Sequence, residues 1–217
     1  MNIEELIDQK LLANSREPRV RSGKYNPSFL GRCYRAQYWN KLDKPASNPF
    51  TVKVLRKFAQ GNATHKLWQD LLPQEICEVP IETEYFKGRA DIALSSVMDL
   101  KGCEQWAFDR YSKIPTELYT EKNRDKFYQA GWYAVQFKLP TFCVIPVVFG
   151  TFTHVKHWAE TKDWERDIKG ETSILISHAV SGELPPPKPR AFGGKECNYC
   201  QWHDLCLETE PALAVKE

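Results

Sequence analysis

Asp91 in KGRADIA and Asp99 with Lys101 in VMDLKG place two carboxylates and an ammonium close together in this chain. Asp91 is expected to end one strand and Asp99-x-Lys101 to lie on the next. Residues two apart on a strand point to the same face, so Asp99 and Lys101 project together and a hairpin brings Asp91 beside them. Hard carboxylate oxygens hold Mg²⁺ or Mn²⁺ while leaving positions open for water and a phosphate oxygen. A metal so held acidifies its water and neutralises charge developing on phosphorus. A neighbouring lysine orients or deprotonates the attacking water, or stabilises the pentacovalent phosphorus. The combination suits phosphodiester cleavage, although two acids and a lysine on adjacent strands are more often solvated surface groups.

Other residues fit such a centre. His65 sits on a stripe of Val54, Phe58, Gly61, His65, Trp68 and Leu72 that recurs at helical spacing. Its imidazole is either a hydrogen-bonded core group or a ligand for a Mn²⁺-type site. Gln129 and Tyr133 lie four apart on one helix face, where they either pack or reach a phosphate or the nucleophile. A second centre is signalled by Cys197, Cys200 and Cys206 in CNYCQWHDLC. Thiolates at that spacing hold zinc or an iron–sulfur cluster. Three do not close a four-coordinate site, so a fourth ligand comes from His203 or from elsewhere in the chain. Cys77, Cys103 and Cys143 fall in strand-like apolar contexts and read as core thiols.

The elements that must position these groups follow from periodicity and turn chemistry. A short helix is expected over 1–15, an irregular basic stretch over 16–28, a helix from Ser28 to Leu42 with Cys33 in its first half, and a third helix over 51–72. Strands are expected over 76–86 and 88–94 about a turn near Lys87-Gly88, then over Val97–Gly102. Pro115 precedes a helix over 121–138; Phe142–Phe149 and Thr151–Trp158 read as strands, and 163–181 as a helix ending at Gly182. A Pro-rich linker over 183–196 leads to the cysteine module. This order predicts an α/β fold with a central mixed sheet flanked by helices. It divides into an N-terminal helical segment (1–50), a core (51–182), and the linker with the cysteine module (183–217).

With 217 residues, 42% of them hydrophobic, the chain can bury a core without disulfides. A formal net charge of +2 demands no nucleic-acid partner by itself. The distribution says more: Arg16, Arg19, Arg21, Lys24, Arg32 and Arg35 stand against a single acid, Glu17. Such a stretch either follows a phosphate backbone or forms a solvated face. No run approaches the roughly 18 apolar residues of a membrane helix, and no secretory pattern opens the chain. The expectation is a cytoplasmic protein, away from membranes, whose seven cysteines are metal ligands or buried thiols.

In chain order, His65 in GNATHKLWQ, Asp91 in KGRADIA, Asp99 and Lys101 in VMDLKG, and Gln129 with Tyr133 in QAGWY resemble the RecB-like branch of the PD-(D/E)xK nucleases. That branch shows a helix His, G-x-x-D, (D/E)-x-K and Q-x-x-x-Y. The resemblance implies a restriction-endonuclease-like core. It also implies metal ligation by His65, Asp91, Asp99 and the Leu100 carbonyl, with Lys101 as the catalytic lysine and Gln129 and Tyr133 beside it. Asp99 stands where Glu is commoner, and the short gap from Asp91 requires a tight hairpin.

Cys33 in FLGRCYRAQYW, upstream of Cys197, Cys200 and Cys206, is similar to the one-plus-three pattern of the iron–sulfur nucleases. These include the CRISPR-adaptation exonucleases (the fourth Cas protein), bacterial AddB and the nuclease domain of eukaryotic helicase–nucleases. By that likeness the four thiolates hold a [4Fe–4S] cluster, in a module formed by the N-terminal helix and the C-terminal segment. Spacing alone leaves zinc in a Cys₄ or Cys₃His site as the alternative. The implied activity is Mg²⁺- or Mn²⁺-dependent exonucleolytic cleavage of single-stranded DNA or DNA ends. In the CRISPR-adaptation family this is 5′-to-3′ and works with an integrase complex; viruses and mobile elements carry stand-alone relatives used in recombination or interference with defence. Two other classes stand beside it. One is a DNA-binding or scaffolding protein with a weak or inactive nuclease site. The other is an iron–sulfur redox protein, which leaves Lys101 and the ordered acids unexplained.

Overall fold

The computed structural model describes residues 2–16 and 22–209. Helix α1 (Ile3–Arg16) leads to a 3₁₀ turn at Pro27–Phe29, α2 (Tyr34–Lys41) and α3 (Val52–Gln69). Strands β1 (Cys77–Glu82), β2 (Lys87–Ala93) and β3 (Val97–Cys103) follow. Three helices, α4 (Gln105–Tyr111), α5 (Thr116–Lys122) and α6 (Arg124–Phe137), then cross over to β4 (Thr141–Val148). After β5 (His157–Glu160) come α7 (Thr161–Ser181) and, beyond the proline-rich stretch, α8 (His203–Thr209).

The five strands form one mixed sheet in sequence order, antiparallel throughout except for the parallel β3–β4 pair. A parallel pair needs a long crossover, which α4, α5 and α6 supply. β4 is buried along nearly its whole length, which explains why its sequence is a continuous apolar run rather than an alternating one. One core lies between the sheet and α6 and α7, with Tyr119, Phe127, Trp132, Phe142, Ile168 and Leu175 fully buried. A smaller one lies on the opposite face, where Ile92, Leu100, Cys143, Ile145 and Val147 meet Trp68 and Leu72. Each such side chain contributes about 1.5–3 kcal/mol by leaving water. The predicted α/β class, with helices on both sides of a mixed sheet, is the observed one.

Several boundaries differ from expectation, each for a local reason. The helix expected from Ser28 to Leu42 is broken at Gly31, which takes a left-handed φ of 78° and passes so close to Asp125 and Tyr128 that an added Cβ would lie 2.8 Å from each. Cys33 thereby becomes the N-cap of α2 rather than an interior helix residue. The turn expected at Lys87-Gly88 falls at 83–86 instead, closed by Thr83, whose N–H donates to the Phe86 carbonyl at 2.8 Å and whose hydroxyl accepts the Phe86 N–H at 3.0 Å. Gly88 lies inside β2, where a Cβ would collide with the Tyr133 hydroxyl and sit 2.9 Å from Pro27 Cδ. The helix expected over 121–138 is two helices meeting at Asn123, with a short α4 before them that the periodicity did not announce. Of the strand expected over Thr151–Trp158, His154 makes a single bridge to Val147 and only the end joins β5. On α3 the apolar stripe divides: Trp68 packs on the sheet, while Phe58 is exposed and packs edge-on against Phe50.

Candidate functional site

The site lies where β2 and β3 fork. Their ladder holds only the pairs Ile92–Met98 and Ala93–Val97, next to the tight turn in which the Leu94 N–H donates to the Ser96 carbonyl. Toward Asp91 and Asp99 the strands separate. The Leu100 N–H donates to Asp91 Oδ2 at 2.8 Å, so a carboxylate takes the place of a ladder carbonyl. Asp99 and Lys101 share the β3 face covered by α6, as their spacing requires. Lys101 Nζ lies 2.7 Å from Asp99 Oδ2 and donates to Gln129 Oε1 at 3.1 Å. From α3, His65 Nδ1 approaches Asp91 Oδ1 to 3.5 Å. Asp91, Asp99, Lys101, His65 and Gln129 are thus brought together.

Burial sets the charge states. Asp99 is 2% exposed, and burial pushes its carboxyl up to about 6; Lys101 opposes this and Asp91 adds to it. Asp91 feels the same burial, but the His65 hydrogen bond, Lys101 and the Leu100 N–H outweigh it and hold it below the ordinary carboxylate range. Lys101 is raised, because the two aspartates overcome the burial that would discharge it. His65 is also raised: burial works against its charge, and Asp91 more than offsets this. Among the described residues the Lys101 ammonium, 2.7 Å away, is the one partner of Asp99 Oδ2. A buried carboxylate with a single partner keeps lone pairs free, and a metal cation would take them up.

Glu78 joins this centre without any signal in the sequence motifs. It falls between the Cys77–Ile92 and Val79–Ala90 pairs of the β1–β2 ladder, across from Asp91. Donor atoms of His65, Glu78 and Asp91 all lie within 4.8 Å of one another, close enough to share one ion. Glu78 has a left-handed φ of 48°, unusual for a non-glycine residue in a strand, and its carboxylate accepts from Gln69 Nε2 at 2.7 Å. Only the backbone geometry of β1 reveals it. Tyr133 is buried, with its hydroxyl against the β2 backbone at Gly88 and Arg89. The tyrosine therefore props β2 against α6, close enough to Asp99 and Asp91 that their charges add to the burial that raises its pKa. Leu100 lies between Asp99 and Lys101 on β3, its side chain in the smaller core.

The two ends of the chain meet at the cysteines. Buried Glu196 accepts the Cys33 N–H at 3.0 and 3.1 Å, the Arg190 N–H at 3.0 Å and the Ala191 N–H at 3.3 Å. Arg190 in turn pairs with Glu171 of α7 and donates to the Arg32 carbonyl at 2.7 Å. The Trp202 indole donates to the Lys44 carbonyl at 2.9 Å and packs against Trp39. Around the sulfurs, the Lys188 N–H lies 3.4 Å from Cys33 Sγ and an Arg35 guanidinium nitrogen 3.9 Å from Cys206 Sγ. Cys200 is pushed up to about 11 by burial, with the thiols of Cys33 and Cys197 adding to the shift. The seven cysteines form no disulfides.

The basic stretch is largely occupied within the fold. Lys24 pairs with Glu82 at 2.9 Å, Arg32 with Asp125 at 3.6 Å, and buried Arg35 donates to the Pro185 carbonyl at 2.8 Å. Arg19, Arg21 and Glu17 lie outside the described residues. No described helix is long and apolar enough to cross a membrane.

No family model and no curated protein matches the sequence. Among solved structures, the crystal structure of SSO0001 is similar at TM-score 0.56 and 16% identity, covering 95% of this chain and 96% of that one. An alkaline exonuclease (LHK-Exo) from Laribacter hongkongensis is similar at TM-score 0.46 and 11% identity, over 80% of this chain and 93% of that one. The first is a likeness of fold across nearly the whole of both chains.

Proposed function

We propose that this chain is a divalent-metal-dependent deoxyribonuclease that trims single-stranded DNA or DNA ends. The observation that carries the reading is the fork between β2 and β3, which gathers Asp91, Asp99 and Lys101 beside His65 and buries Asp99 with Lys101 as its partner. The donor atoms of His65, Asp91 and Glu78 are close enough to share one Mg²⁺ or Mn²⁺, and the resemblance of the motifs adds Asp99 and the Leu100 carbonyl as ligands. When bound, such an ion supplies an acidified water and neutralises charge on the phosphate. Asp91 is held ionised by His65, Lys101 and the Leu100 N–H, so it is ready to bind without first losing a proton. Lys101 is held as an ammonium by the two aspartates, so its Nζ serves as a donor to charge developing on a phosphate oxygen rather than as a base. Gln129 fixes that ammonium through its Oε1, and Tyr133 holds β2 in place.

In this reading Cys33, Cys197, Cys200 and Cys206 hold a [4Fe–4S] cluster that clasps the two ends of the chain. Two features support this: Glu196 brings Cys33 to the C-terminal segment, and N–H groups approach two of the sulfurs, as they do around cluster thiolates. The resemblance of the motifs extends the reading to 5′-to-3′ digestion, in CRISPR adaptation with an integrase complex or in recombination by a mobile element.

The test is digestion of single-stranded DNA labelled at either end, with Mn²⁺ or Mg²⁺. Asp99→Ala and Lys101→Ala are expected to lower the rate by about a thousandfold or more. Equal residual cleavage by wild type and both variants, with DNA binding retained, would leave a binding or scaffolding protein in its place.

A further inference from the structure

Beyond the metal centre, one face of α6 continues along β3. Lys126, Gln129 and Tyr133 form a stripe on the helix, spaced about one turn apart. Asp99, Lys101 and Cys103 form a stripe on the strand. The stripes run in opposite directions: Tyr133 meets β2, Gln129 meets Lys101, and Lys126 lies in the field of Cys103 as well as of Asp99 and Lys101. Lys126 therefore stands one step past Lys101, toward the C-terminal end of β3.

The ammonium of Lys126 is held in place but not neutralised. It donates to Asn123 Oδ1 at 2.6 Å, and buried Asn123 is itself fixed by donating to the Tyr119 carbonyl at 2.9 Å. The rings of Tyr111 and Tyr119 lie 5.8 Å and 5.9 Å from the ammonium. Among the described residues it makes no ion pair with a carboxylate; Asp125, next to it in sequence, pairs with Arg32. The Tyr119 hydroxyl, fully buried under the same group, has no hydrogen-bond partner among the described residues. A half-buried cation without a paired carboxylate and an unsatisfied buried hydroxyl are both costly unless something polar and negative completes them. Burial, together with the neighbouring Lys101 charge, draws the Lys126 pKa down despite the acids nearby.

We propose that Lys126, aimed by Asn123 and flanked by Tyr111, binds a phosphate group of the DNA strand next to the one being cleaved. The inference rests on the nuclease reading and adds a substrate-binding residue to it. A phosphate oxygen supplies the counter-charge that the fold withholds, through a charge-assisted hydrogen bond. Tyr111, partly exposed beside Lys126, offers a ring on which a base of the same strand can stack. Exposed Trp106, with Arg110 5.7 Å from its ring, extends the same combination of cation and aromatic along α4. An internal phosphodiester and a terminal phosphate offer the same chemistry.

The experiment measures binding of a short oligothymidylate, with a 5′-phosphate or a 5′-hydroxyl, in Ca²⁺ over a range of salt. The proteins are wild type, Lys126→Met, Lys126→Arg and, as control, Lys162→Ala on the exposed face of α7. Lys126→Met is expected to weaken binding about tenfold and to lower the salt slope by about one, with Lys126→Arg restoring most of both. In Mn²⁺ its KM should rise while kcat stays within about threefold of wild type. Equal losses on both oligonucleotides assign an internal phosphate, and a loss confined to the phosphorylated one assigns the terminal phosphate. An unchanged Kd, salt slope and KM in a Lys126→Met protein with wild-type Tm would overturn the proposal. Failure of wild type to cleave DNA would instead remove the nuclease reading, and the dependence of binding on Lys126 would still be measured in Ca²⁺.

Discussion

The carboxylate fork and the cysteine module are assembled in opposite ways. The fork is local: Asp91, Asp99 and Lys101 come from one hairpin, and the decisive contact joins residues nine apart. Its charges are buried close together, with one aspartate raised by burial and by its neighbouring carboxylate. The cysteine module joins chain ends more than 150 residues apart, through hydrogen bonds that converge on Glu196, Arg190 and Trp202. Buried charges crowded into one region and long-range hydrogen bonds in the other is the division expected between a reactive centre and a clasp.

The sharpest way to break this contrast is to remove one key side chain from each region. Cys33→Ser is expected to lower Tm by more than about 10 °C, because it opens a metal-closed loop spanning most of the chain. Lys101→Ala should shift Tm by only a few degrees, roughly 3 °C or less, while abolishing cleavage. Thermal scans with iron and zinc analysis and absorbance near 400 nm check this. Equal Tm values for wild type and Cys33→Ser would end the clasp reading, and stoichiometric zinc in colourless protein would replace the cluster.

Glu196→Ala sharpens the same side. It leaves the N–H groups of Cys33, Arg190 and Ala191 without their acceptor, at a cost of about 2–4 kcal/mol in urea denaturation. Turnover per folded molecule should stay near that of wild type; a large fall in kcat would mean that the two regions are coupled.

On the side of the fork, Gly88→Ala is expected to cost about 1–3 kcal/mol by overpacking against Tyr133 and Pro27. Adding Tyr133→Phe removes the colliding hydroxyl and should recover part of that loss, a non-additivity that a double-mutant cycle reads directly. Strict additivity would show that the tyrosine does not prop β2.

The smallest effect tests the electrostatics. A carboxyl whose folded pKa is raised above its unfolded value costs stability as pH rises through the interval between the two, here from the ordinary 3.8 of an aspartate to about 6. Without metal, Asp99→Asn should therefore be more stable than wild type at pH 7, and the two should converge near pH 4. Mn²⁺ should reverse the order, because the amide is the poorer ligand. A metal-free Asp99→Asn protein no more stable than wild type at pH 7 would mean that Lys101 already compensates the carboxylate.

The sequence alone determined the α/β class, the mixed order of elements, the same-face pairing of Asp99 and Lys101, and the cap at Gly182, whose φ is 72°. These depend on strand alternation, apolar periodicity and glycine's access to left-handed backbone, all properties of near neighbours. Tertiary structure decided the rest. Gly88 reads as a turn residue until Tyr133 arrives from α6, and Gly31 breaks a periodic helix because α6 passes beneath it. Lys24, Arg32 and Arg35 read as a phosphate-binding face, yet their partners Glu82, Asp125 and Pro185 come from distant segments. Glu78 and Lys126 carry no motif, and only the β1–β2 register and the packing of α6 on β3 bring them to the centre. Which distant group lies opposite a residue is set by packing of the whole chain, and local periodicity does not encode it.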